Sequence, residues 1–105
     1  MSGSNRSLDP DYRYEAEMGF THYELLKGLP SAVIPYQVVK VGALEYEMQC
    51  DGRHVRLLLS PERARVIASI SLPVTDVVLS FFNFDEAQYT AFMDRFKRYL
   101  HRGGG

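Results

Sequence analysis

One cysteine, three histidines and a near balance of charge are the chemical means of this 105-residue sequence. The lone Cys50 cannot close an internal disulfide, which argues against a stapled secreted scaffold and fits a reducing, cytoplasmic setting. Twelve Lys/Arg against thirteen Asp/Glu leave a net charge of -1. No general attraction to nucleic acid or acidic membranes follows from that balance. No apolar run approaches the roughly 20 residues of a membrane span, or a signal-peptide core, so no membrane partner is expected. No catalytic or cofactor motif stands out, and no cofactor is assigned.

What is present is periodicity. Tyr89, Phe92, Met93, Phe96, Tyr99 and Leu100 recur at helical spacing and predict an aromatic-faced C-terminal helix. Asp85 as cap, Gln88 three residues on and a Phe84–Tyr89 staple mark its start, and Gly103 its stop. Such a stripe needs a broad apolar surface to lie on.

The chain before it reads in order as a polar tail, residues 1–10, then one globular domain, residues 11–102, then a glycine end, residues 103–105. Tyr12 to Met18 alternates as a half-buried strand. Thr21 and Glu24 form a capping box with a Phe20–Leu25 staple, opening a short helix closed near Gly28. From Tyr36 the period becomes two. Tyr36 to Cys50 reads as one long strand bent at Gly42, and Asp51-Gly52 as a two-residue hairpin turn. That turn sets Met48 opposite Val55, Tyr46 opposite Leu57 and Leu44 opposite Leu59 on one face. Gln49 meets His54 and Glu47 meets Arg56 on the other. Turns at Ser60–Arg63 and near Pro73-Val74 would continue the meander. They place Val66 opposite Leu57 and Phe81, Ala68 opposite Val55 and Leu79, and Ile70 opposite Val77.

The expected fold is therefore α+β: a two-layer sandwich, an antiparallel sheet of about five strands with two helices on one face. The order β-α-β-β-β-β-α resembles the TATA-binding-protein-like and helix-grip topologies. The resemblance is to topology alone and carries no function with it.

On the face the helices leave open, this register predicts a mixed patch of His54, Arg56, Leu58, Arg65, Ile67, Val78 and Phe82. Apolar side chains among arginines are typical of protein-binding surfaces. The resulting expectation is a small non-catalytic domain that binds another protein or forms a homodimer. The alternative is a small-molecule binder or weak enzyme with a pocket between sheet and C-terminal helix, where His22, Tyr23, Tyr46 and Tyr89 would lie. His22 has no nucleophile placed beside it. Cys50 and His54 point to opposite faces, so they share no metal. The basic end of the last helix complements its dipole and needs no nucleic acid to explain it. Gly103–Gly105 resembles the tail of ubiquitin-like sulfur carriers in its last residues only. It follows a helix rather than a strand and reads as a helix stop.

Overall fold

Alternation and capping together determine where the chain becomes regular. In the computed structural model residues 9–100 are described. Residues 1–8 of the expected tail, the glycine end and the Gly103 stop lie outside them. The elements run β1 (Tyr12–Met18), α1 (His22–Ala32), β2 (Gln37–Gly42), β3 (Glu45–Cys50), β4 (Arg53–Leu59), β5 (Arg63–Ile67), β6 (Ile70–Phe82) and α2 (Glu86–Tyr99). The sheet order is β1-β6-β4-β3-β2, with β5 added to β6, and every pairing is antiparallel.

Both helices start at the expected reciprocal caps. Thr21 Oγ1 accepts from Glu24 N at 3.1 Å and Glu24 Oε1 from Thr21 N at 3.0 Å. Asp85 and Gln88 repeat the device at 2.8 and 3.0 Å. α1 does not close at Gly28; it continues through Pro30 to Ala32. Gly28 serves a different purpose, because a Cβ there would stand 3.0 Å from Leu100 Cδ2. It lets the end of α2 approach α1.

Six strands form where about five were expected, and two corrections apply, the first to the count and the second to the pairing. The stretch from Tyr36 to Cys50 folds back on itself as the β2/β3 hairpin, with a register shift between Lys40 and Gly42. The Asp51-Gly52 turn stands as expected. Its residues take φ of 50° and 80°, the left-handed values a tight hairpin needs. The pairs Tyr46↔Leu57, Met48↔Val55, Glu47↔Arg56 and Gln49↔His54 follow from it.

The second correction concerns the last two expected turns. β4 pairs directly with β6, Leu57↔Leu79 and Val55↔Phe81, and β5 pairs with the first part of the same strand, Val66↔Ser71. Ser60–Glu62 is not a turn. Three residues there oppose two, Thr75 and Asp76, so β4 and β5 are one strand interrupted by a bulge. Ser60 N donates to Asp76 O at 3.0 Å and Asp76 N to Ser60 Oγ at 2.9 Å, which stitches the bulge closed. The reversal lies instead at Ala68-Ser69, where Ala68 has φ 56°. Pro73 stays inside β6. Val66, Ala68 and Ile70, expected in the core, are exposed.

The core lies between the helices and one sheet face. Val55, Leu57, Val77, Leu79 and Phe81 present no surface to solvent, and Leu25, Leu29, Phe92, Met93 and Phe96 cover them. Phe81 stands edge-on to Phe84, Tyr89 and Phe92 at 5.0, 4.9 and 5.1 Å, the geometry favoured by ring quadrupoles. Tyr99, expected in the stripe, is exposed and lies under the Arg95 guanidinium at 4.5 Å. No helix among the described residues is long and apolar enough to cross a membrane.

Candidate functional site

The face away from the helices is set by strand parity. Pairing places Arg13, Ser80, Arg56, Glu47 and Val39 in one row across the sheet. Glu15, Val78, Leu58 and Glu45 form the next, and Phe82, His54, Gln49 and Gln37 another. His54, Arg56, Leu58, Val78 and Phe82 thus share one surface of the body. Arg65 and Ile67, expected in the same patch, do not stand beside them. They lie further out, on the hairpin formed by β5 and residues 70–74 of β6.

Charge is largely neutralised on the body. His54 Nε2 faces Glu47 Oε1 at 3.4 Å, and Arg56 Nε faces Glu45 Oε2 at 3.3 Å. Neither nitrogen is solvent-accessible and neither has a hydrogen-bond partner. The imidazole packs edge-on to Phe82 at 5.7 Å. Leu58 keeps 39% of its surface exposed. A wide, pre-formed apolar patch is therefore not found here; the pairs break it up.

The hairpin arm is where the apolar surface collects. Every residue from Pro61 to Leu72 is exposed, and Val66, Ile67, Ile70 and Leu72 keep 68%, 55%, 58% and 44% of their surface. The arm's base is held by charge. Arg63 donates to both Asp76 oxygens at 2.8 and 3.0 Å and to Glu17 Oε2 at 2.9 Å, while Arg65 donates to Glu17 Oε1. The Asp76 hydrogen bond, then that charge, raises the Arg63 pKa above its ordinary value. These pairs tie β5, β6 and β1 together at the point where the arm leaves the body. Val66, Ile70 and Leu72 were not foreseen as surface residues, because the expected turns put Val66 and Ile70 inward. The available signal was the run Val66-Ile67-Ala68-Ser69-Ile70, in which the two small residues mark a reversal without glycine.

The four alternative pocket residues are scattered. His22 lies at the start of α1, docked on the bulge: its Nε2 is 2.7 Å from Ser60 O and its backbone N donates to Glu62 Oε2 at 2.7 Å. Tyr23 beside it is 71% exposed. Tyr46 is buried in the sheet opposite Leu57. Tyr89 stacks on Tyr12 at 4.5 Å, at the start of α2. A hollow of about 200 Å³ does exist, but none of these four lines it; Arg53 and Arg95 do. Cys50 pairs with Arg53 and His54 with Gln49, which puts them on opposite faces. No group of three or more potential metal ligands occurs among the described residues. Comparison with family models, with curated proteins and with solved structures finds no match.

Proposed function

We propose that this chain is a non-catalytic interaction domain that docks a second protein chain, in the first instance another copy of itself. The surface is the uncovered sheet face together with the hairpin arm that continues it. The observation that carries this reading is the arm. Three large aliphatic side chains, Ile67, Ile70 and Leu72, stand in water on one face of a segment clamped at its base by Arg63 and Arg65, and Val66 is exposed on the opposite face. Contiguous exposed apolar surface rimmed by charge marks association sites. Ile67 and Ile70 face each other across the closing turn, so one substitution there alters the centre of the patch. The single cysteine supports a cytoplasmic location.

At the level of topology, we infer a TATA-binding-protein-like, helix-grip arrangement. What supports it is the bulge: counted as one strand, β4 and β5 leave the order strand, helix, four strands, helix.

Sedimentation velocity over a concentration series tests the interaction reading. Wild type is expected to sediment as a dimer at high concentration, and Ile67→Glu and Ile70→Glu as folded monomers with unchanged circular dichroism. Leu58→Glu on the body is expected to weaken the dimer less. Wild-type protein that stays monomeric throughout, or glutamate variants that dimerise unchanged, would overturn self-association.

A further inference from the structure

Arginine partners divide the molecule in two. Arg13, Arg56, Arg63 and Arg65 each face a carboxylate. Arg53 and Arg95 do not form an ion pair among the described residues, and both line the hollow on the helix side. Each is hydrogen-bonded through its Nε and lies over a tyrosine ring, Arg53 over Tyr36 at 5.7 Å and Arg95 over Tyr99 at 4.5 Å. Arg53 Nε donates to the Tyr36 hydroxyl at 2.8 Å, and Arg95 Nε to the Ser31 carbonyl at 2.9 Å. Both bonds fix the guanidinium plane, and among the described residues the terminal amino groups donate to no protein acceptor. A guanidinium oriented in this way is pre-organised for a carboxylate.

The remaining walls limit what the anion can be. Among the described residues no acidic side chain lines the cavity, and Ala32, Val33 and Phe92 supply an apolar back. Gln88 also lines it; its carbonyl oxygen is engaged by the Asp85 N–H, so its amide nitrogen is one more donor. The volume of about 200 Å³ falls below the usual range for drug-sized ligands. A bare phosphate would leave the apolar wall unused.

We propose that this cavity, between the end of α1, residues 33–36 and the middle of α2, binds a small organic carboxylate with a compact apolar body. Arg53 and Arg95 take the carboxylate, and Phe92 and Val33 take the body. Charge-assisted hydrogen bonds in a partly enclosed site supply affinity and orientation. The site is separate from the arm, so it stands or falls independently of the docking surface.

Titration of the ¹⁵N-labelled chain with sodium benzoate at constant ionic strength, followed by amide shifts, tests it. Benzoate is expected to give saturable shifts at Val33, Ile34, Ala91 and Phe92. Benzyl alcohol, the neutral analogue, and inorganic phosphate should each bind at least tenfold more weakly. Arg53→Gln and Arg95→Gln are each expected to weaken benzoate roughly ten- to hundredfold. Ala91 lines the cavity from an exposed helix position. Ala91→Phe should therefore keep the fold and block the site, whatever the arginine variants do to stability. Ile67→Glu should bind benzoate as wild type does. No saturable shift with benzoate, equal binding of benzyl alcohol or phosphate, or undiminished binding by Ala91→Phe would overturn the proposal.

Discussion

Phe81 shows how much one side chain can carry. It has no exposed surface and meets Phe84, Tyr89 and Phe92 edge-on, so the sheet, the turn before α2 and α2 itself meet on a single ring. Phe81→Ala is expected to cost about 3–5 kcal/mol, from lost burial and the cavity left behind, read as a lower urea midpoint. Asp11 makes a different kind of single-residue link: its carboxylate accepts from Asn83 N at 2.7 Å and Phe84 N at 3.1 Å. Those bonds satisfy donors exposed where Asn83 turns at φ 66°. Arg53, with its proton held more tightly by the Tyr36 hydroxyl, has a pKa raised above its ordinary value. A raised folded value keeps its contribution intact at every pH below the ordinary arginine range and loses it only above. Arg53 itself therefore provides no switch in the acid range.

At the scale of elements, the arm differs from everything it is joined to. Its two strands close through Ala68, which adopts φ 56° without being glycine. A left-handed alanine costs roughly 1–2 kcal/mol in the folded state. Ala68→Gly is therefore expected to relieve part of that strain, offset by glycine's larger unfolded-state entropy. The net expectation is a stability gain of up to about 1 kcal/mol in the arm, measured as slower amide exchange at Ile67 and Ile70. Faster exchange there would show that the turn is not strained. The helices are simpler elements. Their capping boxes were legible residue by residue, because a cap is a contact between neighbours in sequence. The arm is not legible in the sequence, because Ser60-Pro61-Glu62 has turn composition while forming a bulge. Pro73 has the same reputation, yet it occupies a strand beyond the end of β1, whose last pair is Met18↔Thr75.

For the molecule as a whole, the arm gives the chain its length. The principal extents are 53 × 28 × 21 Å and the radius of gyration is 14.8 Å, against about 13 Å for a compact domain of this size. No arm residue belongs to the main core cluster. Replacing residues 64–71 by a short turn is therefore expected to leave the thermal midpoint within a few degrees, while removing self-association. Calorimetry and sedimentation check the two halves separately. A large loss of stability would mean that the arm supports the fold rather than extending it.

The amino-acid sequence alone determined the two-layer α+β character, the helix starts, the Asp51-Gly52 hairpin and the inward face of Leu57, Leu79 and Phe81. Each depends on a local period, a cap or a two-residue turn, and so on interactions within a few residues. Only the tertiary structure decided that β4 pairs with β6, that Val66 and Ile70 stand in water, and that Arg53 meets Arg95 at one cavity. A bulge moves pairing by one residue without altering the alternation on either side. Two arginines 42 positions apart become neighbours only when helix and sheet are already packed.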